Sequence, residues 1–266
     1  MNPFYTLLMN LFSMEKNIWY KIDNADKIDT PALVIYPERV KENIRILKEI
    51  IDDPLRLRPH VKTHKTKEAT LLIMEAGISK FKCATIAEAE MLGMCIAPDV
   101  LLAYPLFGPK LERFVCVIKK FPDTVFSCLA DNETPAKEIS ETAVANDLNI
   151  RVYIDLNVGM YRTGIKPGKS AVKLYEDCSK LKRVQVKGFH IYDGHIRERD
   201  IEKRFLLCRE TFTPVKEMIS ELISKGYQRP EVIIGGSPSF PIYAKQKDVE
   251  CSPGTFIFWD KGYTDS

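Results

Sequence analysis

From residue 56 onward the chain alternates between two kinds of segment. RLRPHVKTH, KFKCATI, DVLLAYPL, TVFSCLADN, IRVYIDLN, VQVKGFHIYDG, EVIIGG and GTFIFWD read as strands, and all but the last gap hold segments of helical or mixed character. Parallel neighbours need long crossovers, so strands alternating with helices predict βαβ units and a parallel sheet. Eight strands in about 210 residues fit an α/β fold of the (β/α)8 TIM-barrel kind. The rival architecture, a doubly wound open sheet, lacks its glycine signature, because no GxGxxG follows the first strand. Upstream, PALVIY at 31–36 is a short apolar run, and ERVKENIRILKEII sets Val40, Ile44, Leu47 and Ile51 on one helical face. No internal repeat, low-complexity stretch or linker interrupts the pattern.

Charge excludes some functions. Against 36 acidic residues the chain has 39 Lys and Arg, a net +3. That excess is too small and too scattered for nucleic acid, yet it permits a local basic site for a small anion. The seven cysteines stand singly with no CxxC, which argues against a disulfide framework and for a reducing, cytoplasmic setting. The apolar stretch from Phe4 to Phe12 is far short of the roughly 20 residues that span a bilayer and has no signal-peptide flanks, so no membrane partner is expected. Residues 1–16 are set apart as an N-terminal extension, either upstream of the natural start or a loose arm, and residues 17–266 are taken as one domain.

A TIM barrel carries its site at the C-terminal ends of its strands. The first strand ends in Arg58-Pro59-His60-Val61-Lys62-Thr63-His64, where alternation would place Arg58, His60, Lys62 and His64 on one inward face. An inward lysine is costly as a cation unless it is paired or chemically used; a solvated basic loop running on through Lys65 and Lys67 explains the residues about as well. Arg162, in DLNVGMYRTGI after the fifth strand, projects toward the mouth or is a plain surface arginine. After the sixth strand come His190, Tyr192, Asp193 and His195. A polar core cluster or a cofactor-facing tyrosine is favoured there over a metal site, since only His190 and Tyr192 share a face. Gly235-Gly236-Ser237-Pro238-Ser239, after the seventh strand, offers backbone N–H groups and hydroxyls suited to a phosphate. The alternative is an ordinary turn. Gly254 and Thr255 open the eighth strand and add donors.

Together, RPHVKTHK, CATIAEAEML, DLNVGMYRTGI, IYDGHI, GGSPSF and SPGTFIFWDKGY resemble the D-threonine aldolase / D-serine dehydratase family of alanine-racemase-like, fold-type III pyridoxal-phosphate enzymes, from about residue 17 to the end. The resemblance implies a barrel of the alanine racemase N-terminal type that binds pyridoxal 5′-phosphate. It casts Lys62 as the cofactor lysine, Arg162 as the partner of the pyridine nitrogen, and Tyr192 as the ring-side, catalytic tyrosine. Gly236, Ser237, Gly254 and Thr255 become the phosphate cup, Thr85 lines the pocket, and His60 and His64 flank the lysine. The family continues into a C-terminal β-domain whose histidine and cysteine or aspartate hold a divalent metal. Here the sequence stops at Ser266 with no histidine after His195, so that domain and its metal ligands are expected to be missing. The implied activity is a lyase acting on a small D-amino acid, D-threonine aldolase-like, yielding glycine and acetaldehyde. D-serine dehydratase, an amino-acid racemase and a catalytically silent cofactor-binding barrel are the alternatives, and a homodimer is an assembly the family allows.

Overall fold

Seven parallel strands in sequential order form the sheet of this computed structural model, which describes residues 20–258. They are β1 (Lys80–Cys83), β2 (Asp99–Pro105), β3 (Val125–Ala130), β4 (Ile150–Leu156), β5 (Val184–Ile191), β6 (Glu231–Ile234) and β7 (Glu250–Cys251). The helices are α1 (Pro37–Ile50), α2 (Lys67–Glu75), α3 (Ile86–Met94), α4 (Pro109–Lys120), α5 (Glu133–Ala145), α6 (Lys169–Ser179), α7 (Ile201–Ser224) and the one-turn α8 (Phe240–Tyr243). The chain divides into two compact units, residues 1–39 and 40–266. In the first, Ala25–Lys27 forms a 3₁₀ turn and the Tyr36 hydroxyl donates to the Tyr20 carbonyl at 2.6 Å. The expected extension, 1–16, lies outside the described residues.

In the second unit, strand alternation sorts side chains onto two faces. Val100, Leu102, Cys128, Ala130, Val152, Ile154, Phe189, Ile191, Val232 and Ile234 join the large apolar cluster shared with the helices. The opposite face carries a smaller cluster, Leu101, Ala103, Leu129, Tyr153 and Ile233. The expected apolar stripe on α1 is present, with Val40, Ile44 and Leu47 buried. Register carries one face round the half-barrel: Lys82 pairs with Leu101, Asp155 with His190, and His190 with Ile233. β5 slips by one residue between its pairings to Val152 and Tyr153. Gly188 follows that slip, and a Cβ there would stand 1.9 Å from the Glu231 carbonyl oxygen, so only glycine fits the approach. The slip turns His190 to the smaller-cluster face and leaves Phe189 and Ile191 toward the helices.

Two of the expected strands differ. Residues 57–60 are extended, with single parallel bridges from Leu57 to Cys251 on one side and from His60 to Lys82 on the other. Their backbone is held by Arg58 N–H to the Cys251 carbonyl at 2.8 Å and Lys82 N–H to the Pro59 carbonyl at 2.8 Å. At Val61–Thr63 the chain coils into a 3₁₀ turn, so the expected alternation through Lys62 and His64 ends at His60. The strand expected at GTFIFWD is a 3₁₀ turn over Thr255–Ile257, and the last strand is Glu250–Cys251. Pro253 has no N–H for a ladder, and Phe256 and Ile257 bury themselves from the turn. Trp259 and Asp260 lie outside the described residues.

Candidate active site

The C-terminal strand ends converge on one cleft. Its lining includes Lys62, Lys82, Tyr192, Gly236, Ser237, Gly254 and Thr255. Six of these come from the residues expected from the sequence; Lys82 does not. Arg162 joins them through Tyr192, its guanidinium carbon 4.9 Å from the ring centroid. The Nζ atoms of Lys62 and Lys82 stand 5.4 and 5.9 Å from the same centroid. Two amino groups and a guanidinium thus surround one electron-rich ring, which attracts each of them when it is protonated. Gly194 leaves room for that ring, since a Cβ there would meet the Tyr192 hydroxyl at 2.4 Å.

Each group is held by local structure. The loop bearing Arg162 is folded back onto β4: Ile165 bridges to Leu156, and Asn157 Oδ1 accepts from the N–H groups of Gly159 and Tyr161 at 3.1 Å each. Thr163 Oγ1 donates to Asp155 Oδ2 at 2.8 Å, and Gly164 N–H donates to Asp131 at 3.0 Å. Lys62 rides the 3₁₀ turn, and its own N–H donates to the His60 ring nitrogen Nδ1 at 3.3 Å. Burial, then the Arg162 charge, lowers the Lys62 amine below its usual range, with Glu88 pulling the other way. Burial likewise pushes His60 well down, with Lys82 and Lys62 adding to it.

Next to the His60–Thr63 segment, the N–H groups of Gly254 and Thr255 and the Thr255 hydroxyl all approach Ser237 Oγ, at 3.2, 3.1 and 2.7 Å. Three donor-bearing groups around a single oxygen form a cradle for an oxyanion. Ser252 also lines the cleft, and its buried hydroxyl has no hydrogen-bond partner among the described residues. Ser239 Oγ accepts from Gly236 N–H at 3.1 Å and braces that turn.

Three expected neighbours have other duties. Thr85 starts α3: its hydroxyl accepts from Glu88 N–H at 3.1 Å while Glu88 Oε2 accepts from Ala84 N–H at 2.7 Å, in the manner of a capping box. His64 is buried edge-on to Phe258, with its pKa lowered by burial to about 4. His190 is buried with Nδ1 2.7 Å from Asp155 Oδ1, whereas His195 is exposed and would block a Cβ on Gly159. Among the described residues, no three His, Cys, Asp or Glu side chains are placed to hold a metal ion. No helix among them is long and apolar enough to cross a membrane, and all seven cysteines are free.

Comparisons with known proteins bear on what such a cleft does. A D-threonine aldolase from Arthrobacter sp. is 23% identical over 245 residues, covering 91% of this chain and 64% of that protein. A D-threo-3-hydroxyaspartate dehydratase from Delftia sp. (strain HT23) is 27% identical over 244 residues, covering 90% of this chain and 63% of the other. The crystal structure of D-threonine aldolase from Filomicrobium marinum superposes with a TM-score of 0.81 at 25% identity, covering 90% of this chain and 65% of that one. The chain thus spans less than two thirds of the length of these relatives. Residues 35–261 match the family described as alanine racemase, N-terminal domain, and with the strand order and the cleft at the strand ends, this places the chain in that family.

Proposed function

We propose that the chain binds pyridoxal 5′-phosphate and acts on a small D-amino acid as a lyase, D-threonine aldolase-like, releasing glycine and acetaldehyde from D-threonine. The observation that carries the reading is the pairing, within one cleft, of the depressed amine of Lys62 with the oxyanion cradle at Gly254 and Thr255. The residues suit the cofactor. Lys62 would hold it by its carbonyl, and Gly236, Ser237, Gly254 and Thr255, with the partnerless Ser252 hydroxyl, would take its phosphate. Arg162, a side chain that only donates hydrogen bonds, would face a ring nitrogen that carries no proton. Tyr192 would shape the pocket beside the ring. Bound there, the cofactor supplies an electron sink for the pair left when a bond to the substrate Cα breaks. No step is assigned to a metal. The reading extends to the fold: residues 57–60, bridged to both β1 and β7, serve as the eighth strand of a closed (β/α)8 barrel.

The relatives include dehydratases, the one named above at 27% identity, which supports β-elimination as the second reading. Two measurements test the proposal. The protein incubated with pyridoxal 5′-phosphate and reduced with borohydride should carry the label on Lys62, and Lys62→Ala should lose it while Lys65→Ala keeps it. Product analysis with D-threonine, D-serine and D-threo-3-hydroxyaspartate then separates the activities: acetaldehyde and glycine support the aldolase, a keto acid and ammonia support the dehydratase. Labelling of Lys65 in place of Lys62 would overturn the site assignment.

A further inference from the structure

Lys82 stands in the wall of the cleft with no role in the function proposed above. It lies on β1, its backbone tied to Pro59, and the register that aligns it with Leu101 turns its side chain to the smaller-cluster face. The residue is only 2% exposed, yet it lines the cleft beside Lys62, Tyr192 and Ser237. Among the described residues no carboxylate is within ion-pair reach of its Nζ; Asp155 on β4 and Asp193 after β5 act on it from a distance. The remaining groups that face it are Lys62, Arg58 and His60 from the 57–62 segment, His190 from β5, and the Tyr192 ring. A buried amine among cations, without a counter-charge and open to a cleft, is an incomplete site for an anion.

We propose that Lys82 is a cofactor-binding residue, an amine that becomes an ammonium ion when the anionic cofactor enters the cleft and then serves as its buried counter-charge. The inference rests on the pyridoxal-phosphate reading. In the free protein, burial and then the Lys62 charge lower the Lys82 pKa to about 7. A phosphate group brings nearly two negative charges. Placing that charge in the cleft favours the protonated amine, so binding above neutral pH draws a proton from solvent. When Lys62 captures the cofactor carbonyl its amine is consumed and cannot supply the same effect; with a probe that leaves that amine free, its response is shared by wild type and Lys82→Arg.

The test uses the full chain and two probes that cannot react with Lys62. These are 4′-deoxypyridoxine 5′-phosphate, which has the ring and phosphate but a methyl group in place of the aldehyde, and inorganic phosphate. Calorimetric titration at pH 8 in buffers of different ionisation enthalpy counts protons. Wild type should take up close to one proton more than Lys82→Arg with the ring-bearing probe, and the ratio of their affinities should fall by up to about tenfold per pH unit between pH 7.5 and 9. Lys82→Met should bind at least about tenfold more weakly than wild type at pH 7. Uptake with inorganic phosphate as well would place the ammonium against the phosphate; uptake with the ring-bearing probe alone would place it against the ring oxygen. Equal proton counts in wild type and Lys82→Arg, or unchanged affinity in Lys82→Met, would overturn the inference. If Lys82→Met does not fold, the comparison of wild type with Lys82→Arg decides alone. Borohydride labelling of Lys62 in the same preparations keeps the two readings apart: labelling retained with no Lys82 effect sinks only this inference, and no labelling of any lysine sinks both.

Discussion

An amine buried without a carboxylate partner weakens the fold that contains it, and Lys82 is such a case. Its pKa falls from the usual 10.5 to about 7 through burial and then the Lys62 charge. The unfolded chain therefore binds the proton more tightly than the folded one. Folding stability rises with pH across the window from about 7 to 10.5, and below it the full penalty applies. In the cofactor-free protein, Lys82→Met should thus gain stability on the order of a few kcal/mol at pH 6–7, an advantage that shrinks toward pH 10. Urea unfolding at several pH values would show it; a variant less stable than wild type at pH 6 would contradict it. A stability gain on removing a side chain is the mark of a residue kept for binding or chemistry, which charge surveys alone do not detect. The sequence carries a signal for Lys82 in its alternation. In KFKC, the buried Phe81 and Cys83 alternate with Lys80 and Lys82, so when the apolar pair faces the helices the lysines must face the other way. Lys62, by contrast, is legible because RPHVKTHK is a specific string, whereas strand alternation does not set its direction, since the extended backbone ends at His60.

At the level of elements, apolar patterning located the helices and the middle strands closely, and it failed where a strand is short and polar. Glu250–Cys251 sits within KDVECS, with no apolar run to mark it, and is fixed instead by Ser252 N–H to the Ile234 carbonyl and by its pairing with β6. The run TFIFW has strand-like composition, but Pro253 and Gly254 before it favour a turn. That turn, rather than a strand, presents Gly254 and Thr255 N–H groups to one oxygen. Thr85 carries a second, local signal. Beside its place at the end of β1, which points to the pocket, Thr85-Ile86-Ala87-Glu88 has the spacing of a capping box, and the structure forms it. Thr85→Ala should therefore cost about 1 kcal/mol of stability and leave cofactor capture by Lys62 unchanged. Loss of capture at unchanged stability would return Thr85 to the pocket.

At the scale of the whole molecule, the question is what joins residues 57–60 to both edges of the sheet. Three backbone hydrogen bonds do part of this, and Arg58 does the rest. It is 1% exposed, with its guanidinium donating to Asp99 Oδ1 on β2 at 2.5 Å and to Glu250 Oε2 on β7 at 2.7 Å. Glu250 also pairs with Lys80 on β1, so one arginine and one glutamate tie the first and last strands through the segment between them. Just beyond, Tyr153 donates to Glu231 at 2.5 Å and Ile233 and Leu101 fill the space toward the cleft. The face below the cleft is thus charged and paired at one end, apolar in the middle, and cationic and under-paired where Lys62 and Lys82 line the cleft. Arg58→Met would remove the tie and leave Glu250 partly buried with Lys80 alone. Breaking one partner of a buried pair typically costs about 3–5 kcal/mol, and Asp99, being a quarter exposed and also near Arg151 at 3.7 Å, should soften the loss toward the low end. Because the segment bridges both edges, amide exchange in Arg58→Met should quicken together at Arg58, His60 and Lys82, whose N–H groups make the joining bonds. Faster exchange at Arg58 and His60 with Lys82 still protected would mean that the two edges open separately, and that residues 57–60 are a strap along one side rather than the strand that closes the barrel.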